Sequence, residues 1–294
     1  MTAMTASTIV TPAPSGSRLA RFGRFARRNP TMLLGAAILV FFLGVAVVAP
    51  LIAGDPMLKL PTRRLQPPSP ELWFGTDQLG QDVFARTVYG ARVSLIVGFS
   101  VATISILVGL TIGLFAGYYR WFDGIVMRLM DGLMAIPAIL LAIAMVALNQ
   151  GSIAIVVTAI AIPELPRVVR LVRSIVLSVK ELPFVEAAIA CGARTPRILF
   201  RHIMPSTIAP LIVQATYICA SAILVEASLS FLGAGVPPEV PSWGNMIASS
   251  RLYLARAPWT IFCPAIALAL VVLAVNLLGD GLRDRLDPRL SRRL

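Results

Sequence analysis

The chain has 294 residues, of which 57% are hydrophobic and only 14% charged, with a formal net charge of +12 and a mean hydropathy of +0.82. A soluble domain carries about 25% charged residues, and here the apolar residues gather in long runs, which argues against a soluble globular protein. The basic excess is not that of a nucleic-acid binder, because the Lys and Arg residues divide by side of a membrane rather than forming one patch.

About 20 apolar residues cross the hydrocarbon core of a bilayer. Six runs meet that length or approach it: about 31–53, 93–118, 132–148, 152–169, 207–232 and 261–278. The chain reads as an all-α integral membrane protein of about six transmembrane helices.

Residues 1–30 form a tail rich in Thr, Ala, Pro, Ser and Arg and are expected to be disordered. The first span, 31–53, follows this basic tail as a signal peptide would. Its apolar stretch of about 20 residues exceeds the roughly 7–15 of a secretory signal, so it reads as an uncleaved anchor. Residues 54–90 form an outer segment. Its first half, GDPMLKLPTRRLQPPSP, holds too many prolines for a helix. Its second half is expected to form a short helix capped by Thr76 or Asp77, with Val83, Phe84, Val88 and Tyr89 as its apolar face.

In the second span Gly109, Gly113 and Gly117 recur every four residues. They share one helix face and suit close packing of a second helix better than a special gating role. The third and fourth spans are joined by NQGS, residues 149–152, a tight turn. Glu164 lies between Pro163 and Pro166 with Arg167 nearby, which predicts a broken helix with a local ion pair. Glu226 lies within the fifth span, with Ser230 one turn on. A carboxylate at that depth costs a few kcal/mol unless paired or wetted. Contact with a pathway or gate and a structural hydrogen bond stand as equal readings for it. Residues 233–260 form a second outer loop, where Trp243 and Trp259 suit an interfacial aromatic belt. Gly279–Asp284 reads as the end of the last helix, and 281–294 as a C-terminal tail. Cys191, Cys219 and Cys263 lack metal-ligand spacing and read as small buried packing residues.

With the N-terminus inside, six spans return the C-terminus to the same side. Five Arg before the first span, two after the second, seven Lys and Arg around the insert and five Arg in the tail then lie inside, against seven outside. This bias fixes the orientation, with both termini cytoplasmic.

The segment EAAIACGARTPRILFRHIMP, residues 186–205, interrupts the oily pattern. Phe184, Val185, Ala188 and Ile189 make one apolar helical patch, and Gly192 suits the left-handed residue that ends a helix. Thr195 as N-cap and Pro196 in the first turn restart a second helix with Ile198, Leu199 and Ile203 on its apolar side. Pro205 marks a break before the fifth span. Such an insert is either an amphipathic element resting on headgroups or a docking knob whose small residues admit a partner's backbone.

Glu186-Ala187-Ala188, then Gly192, then Met204-Pro205 resembles the EAA loop of bacterial ABC-importer permeases. Departures are His202 and Met204, where isoleucine and leucine are usual. His202 suits one subfamily, the dipeptide/oligopeptide/nickel permeases of the C type. FGTDQLGQDVFARTVYGARVSLIVG resembles the outer lead-in of that subfamily, with Gln81 where arginine is more usual. GLFAGYYRWFDGIVMRLMDGLMAIPAILLAI, RLVRSIVLSVKELPFVEAA, EASLSFLGAGVPPEVPSWGNMI and NLLGDGLRDRLDPRL match its later parts in order.

The resemblance implies the type I ABC importer permease fold, with a permease domain at 91–280 and the EAA loop at 181–205. It implies a heterodimer with a homologous B-type permease subunit, two cytosolic ABC ATPases below and an extracytoplasmic substrate-binding protein above, in the cytoplasmic (inner) membrane among its lipids. Glu186, Ala187, Ala188, Gly192, Ala193, Arg197 and Pro205 are the expected ATPase-coupling residues. The chain has no G-x-x-x-x-G-K-[ST] run, so ATP and Mg are expected on the partners. No catalytic residue, metal site or cofactor is expected in the chain itself. Peptides, dipeptides or oligopeptides above all, are the expected substrate. Nickel or another small solute is the alternative, and a proton-coupled secondary transporter using Glu164 and Glu226 a more remote one.

Overall fold

A computed structural model describes residues 29–148 and 152–286. The expected tail at 1–28, the turn at 149–151 and the end of the C-terminal tail at 287–294 lie outside the described residues. The helices in chain order are α1 (Pro30–Ile52), α2 (Val83–Tyr118), α3 (Arg120–Ala135), α4 (Ala138–Leu148), α5 (Ile153–Val179), α6 (Pro183–Ala190), α7 (Thr195–Arg197, continued by π-helical turns over Ile198–Ile203), α8 (Pro205–Phe231), α9 (Trp243–Ser250) and α10 (Trp259–Leu286).

Four of these, α1, α2, α8 and α10, are long and apolar enough to cross a membrane, and α3 with α4 would make a fifth if the pair were one span. The six expected runs map onto these helices, with the third and fourth differing in form from the other four. The third is not straight: α3 and α4 meet at 88°. Pro137 forces the residue before it out of the α region, and Ile136 accordingly sits at φ −93°, ψ 127°. The fourth, α5, has 27 residues, about 40 Å of helix. It carries Glu164, Arg167, Arg170 and Arg173, too polar a sequence to face lipid on all sides.

The most extensive helix contact joins α2 to α5. A Cβ on Gly109 would lie 2.6 Å from Val168 Cβ, one on Gly113 2.7 Å from Val172 Cβ, and one on Gly117 2.6 Å from Val176 Cβ. Three glycines spaced by four thus meet three valines spaced by four, with no room for a methyl group between them. Lys180 Nζ donates to the Gly117 carbonyl at the end of this seam. The predicted break in α5 does not occur: the helix runs on through Pro163 and Pro166. Two prolines remove two intrahelical donors, but α2 packs closely along this stretch, with Ser105 Oγ donating to the Ala161 carbonyl at 3.4 Å. Packing against neighbouring helices lets a proline-bearing helix remain intact.

Helix α3 is amphipathic. Val126 and Met130 are buried while Trp121, Ile125 and Leu129 face outward. Two ion pairs hold it to α5: Arg173 forks onto both oxygens of Asp123, and Arg170 reaches Asp131. On the other flank, α1 lies against α10, where a Cβ on Gly35 would sit 2.6 Å from the Ala274 carbonyl oxygen.

The short outer helix expected near Thr76 is the start of α2 itself, 36 residues long. Its cap is Asp82, which accepts from the Phe84 N–H at 2.8 Å, and not Thr76 or Asp77. Thr76 and Asp77 instead tie the extended outer segment to the bundle. The Asp77 carboxylate accepts from the N–H groups of Leu79 and Gln81 and pairs with Arg86 at 3.4 Å. Arg86 also donates to the Gln81 side chain. Trp243 does not sit at an interface. It is fully buried, donates to the Thr87 carbonyl at 2.9 Å and packs edge-to-face on Phe42. Of the three cysteines, only Cys219 is fully buried; Cys191 is exposed and Cys263 half-buried.

Three substitutions check this arrangement. Gly113→Leu must force α2 from α5 and is expected to cost about 1–3 kcal/mol, read as a lower thermal midpoint in detergent. Gly124→Ala, on the open face of α3 where an added Cβ meets nothing, is expected to be neutral or slightly stabilising. Arg86→Leu strands the buried Asp77 carboxylate and is expected to cost about 3 kcal/mol or more.

Candidate functional site

The insert between α5 and α8 is built from two short helices around one glycine. Pro183 occupies the first turn of α6, where its missing N–H costs nothing. Glu186 lies in the same turn, where a negative charge is favoured by the unpaired N–H groups. The helix ends on a complete Schellman arrangement. The Gly192 N–H donates to the Ile189 carbonyl at 2.9 Å and the Ala193 N–H to the Ala188 carbonyl at 3.0 Å. Gly192 takes φ +78°, and a Cβ there would meet nothing else in the chain. Its side-chain-free state therefore answers to backbone conformation and to whatever approaches from outside, not to packing within this protein.

Arg194, not Thr195, precedes the second helix, and it makes no side-chain cap. Pro205 does not break the chain either. Met204 stays helical at φ −53°, ψ −39°, and its N–H reaches back to the Leu199 carbonyl at 2.8 Å. A proline ring clashes with the carbonyl four residues before it in a regular α-helix. The wider π turns over Ile198–Ile203 relieve that crowding, so α7 feeds directly into α8.

One side of the insert is anchored. Val185, Ile198, Leu199 and Ile203 are buried in the main core, with Ala193 and Met204 packed against it. Other apolar side chains of the insert are left bare: Phe184 is 47% exposed, Ile189 52% and Phe200 51%. Ala187, Glu186, Gly192, Arg197 and Pro205 are also exposed, and Ala188 and Ala193 half-buried. The predicted apolar patch of α6 is thus split, with Val185 pointing inward and Phe184 and Ile189 outward. Phe200 was not singled out from the sequence. Its helical offset from Ile203 marks a different face, but the π turns set that face and leave no pattern of their own.

Glu226 is far from the insert. It is fully buried, Ser230 donates to its Oε1 at 2.8 Å, and the Ser242 hydroxyl adjoins the same carboxylate. Ser230 borders an open hollow of about 450 Å³ also lined by Gln81 and Arg86, and Glu226, one turn before Ser230, is buried. Glu164 pairs with Arg167 at 3.1 Å. Sequence reading missed the two ion pairs of α3, because their partners lie 50 and 39 positions apart.

A many-helix membrane bundle with an anchored insert that offers an uncovered apolar face defines a membrane component built to work with another protein. The family described as "Binding-protein-dependent transport system inner membrane component" matches residues 109–292, and the chain belongs to it. It is a multi-pass permease of that family. It is 62% identical over 270 residues to the "Probable peptide ABC transporter permease protein y4tQ" of Sinorhizobium fredii, covering 92% of this chain and 93% of that protein. It is 47% identical to the "Dipeptide transport system permease protein DppC" of Alkalihalophilus pseudofirmus, with 90% and 88% covered. A "Di/tripeptide transport system permease protein DppC" of Pseudomonas aeruginosa is 42% identical, with 96% and 95% covered.

The anchored and bare sides of the insert predict opposite responses to truncation. Ile203→Ala is expected to lower stability by about 2–5 kcal/mol. Ile189→Ala, removing as large a side chain from the open side, is expected to change it by about 0.5 kcal/mol or less, both read by thermal unfolding of the purified chain.

Proposed function

We propose that the chain is the permease subunit of an ATP-driven importer that moves peptides across the cytoplasmic membrane by alternating access. It pairs with a homologous B-type permease subunit. Two cytosolic ATPases hydrolyse the nucleotide, and an extracytoplasmic binding protein delivers the substrate. The N- and C-termini face the cytoplasm, in keeping with the distribution of Lys and Arg.

The observation that carries this reading is the two-sided insert. A joint that transmits force must be fixed on one side and sticky on the other. Val185, Ile198, Leu199 and Ile203 supply the fixed side. Phe184, Ile189 and Phe200 supply an apolar face that this chain leaves uncovered. Each is about half exposed, so burying what remains against a partner is favourable by about 1 kcal/mol apiece. Glu186, Ala187, Ala188, Gly192, Ala193, Arg197 and Pro205 frame that face, and the small ones let a partner's backbone come close. ATP shifts the assembly only so far as it binds the closed ATPase pair better than the open one, and the insert passes that difference to α5 and α8. Peptides are the favoured cargo because the relatives above carry peptide or dipeptide in their names.

The test is uptake of labelled dipeptide by the complete transporter in vesicles, with ATP hydrolysis measured alongside. Gly192→Trp adds bulk on the open side and strains a left-handed residue. It is expected to leave the chain in the membrane while lowering peptides moved per ATP about tenfold or more. Unchanged coupling in that variant would remove the insert from its role.

A further inference from the structure

Near the middle of α5, α8 and α10 the surface carries polar side chains where lipid would demand apolar ones. Glu164 and Arg167 lie on α5. Tyr217, Ser221 and Ser228 recur along one face of α8, and Asn276 lies opposite on α10. Two pairs meet across α5 and α8. The Ser221 hydroxyl adjoins the Glu164 carboxylate, and the Arg167 guanidinium lies 5.2 Å from the centre of the Tyr217 ring. Tyr217, Ser221, Ser228 and Asn276 line an open hollow of about 330 Å³ between α8 and α10. The Arg167 side chain is 51% exposed and that of Glu164 14%.

Polar and charged groups at this depth are expensive unless they meet water, a partner or each other. Tyr217, Ser228 and Asn276 are exposed in this chain; the Ser228 hydroxyl donates to the Leu224 carbonyl of its own helix, but lipid contact would leave the polar groups of Tyr217 and Asn276 in hydrocarbon. A water-filled path satisfies them. A zwitterionic peptide crossing the midplane faces the same penalty for its ammonium and carboxylate termini. The strip offers both a carboxylate and a guanidinium, already paired, that can exchange partners with those termini without leaving a net buried charge.

Resting on the peptide-import reading above, we propose that this strip is the chain's substrate-contacting surface. Glu164 receives the peptide's ammonium end, Arg167 its carboxylate end, and Tyr217, Ser221, Ser228 and Asn276 contact its backbone. Glu226, buried one turn before Ser230, lies outside that surface.

The experiment uses the complete transporter in vesicles, with labelled dipeptide as the probe. In a chain whose Cys191, Cys219 and Cys263 are replaced by Ser, Ser221→Cys and Asn276→Cys are treated with a charged, water-soluble thiol reagent. Val47→Cys, on the outward face of α1, is the lipid control. Both strip positions are expected to react at least tenfold faster than the control, to lose uptake on reaction, and to be slowed by excess dipeptide. Glu164→Gln and Arg167→Gln are each expected to lower dipeptide uptake about tenfold, as loss of a charge-assisted contact does. Reaction no faster than at Val47→Cys overturns the proposal, and so does wild-type uptake in both charge variants. Should Glu164→Gln fail to reach the membrane, the cysteine arm alone decides. A wild-type assembly that takes up no dipeptide overturns the import reading as well, whatever the labelling shows.

Discussion

The bundle depends on how closely α2 and α5 approach. Where Gly109, Gly113 and Gly117 meet Val168, Val172 and Val176, a single methyl group does not fit. In lipid there is no hydrophobic drive between helices, so van der Waals contact at such seams and hydrogen bonds across them hold a bundle together. The seam does more than add cohesion. Helix α5 bears four charged residues that lipid would reject; close packing on α2 buries one face of it, and α3 pairs with Arg170 and Arg173 on another. The seam also lets α5 remain one helix through two prolines.

That continuity gives the insert its mechanical meaning. Helix α5 ends at Val179 and α6 begins at Pro183, so little flexible chain separates them. On the other side, the π turns carry α7 into α8 with Met204 still helical. Displacement of the insert therefore reaches two long helices at once. Both also carry the polar strip at mid-depth, so the joint that a partner would push and the surface that a peptide would touch belong to the same pair of rods.

Much of this is legible in the sequence, for physical reasons that differ by element. The long apolar helices announce themselves because hydrocarbon imposes a length and a composition. Gly192 is readable because one backbone conformation at a helix end nearly requires glycine. What the sequence hides is set by tertiary contact. Asp82 and not Thr76 caps α2, because Thr76 and Asp77 are already engaged, Thr76 with the Arg63 carbonyl and Asp77 with Arg86. Trp243 looks interfacial and is instead buried on Thr87 and Phe42. Pro163 and Pro166 look like a break, which neighbouring helices prevent, while Pro137 produces one. The face presented by Phe200 depends on π turns that local propensity does not signal.

The central claim is that the bare side of the insert is the contact with a nucleotide-hydrolysing partner. Site-directed crosslinking in the assembled transporter tests it most directly. With cysteine at position 189 in the chain lacking its native thiols, a short bifunctional reagent is predicted to join the chain to an ATPase subunit. The same reagent at position 203, on the anchored side, is predicted to give no such product. Absence of the crosslink from position 189, with the assembly intact and hydrolysing ATP, would contradict the account.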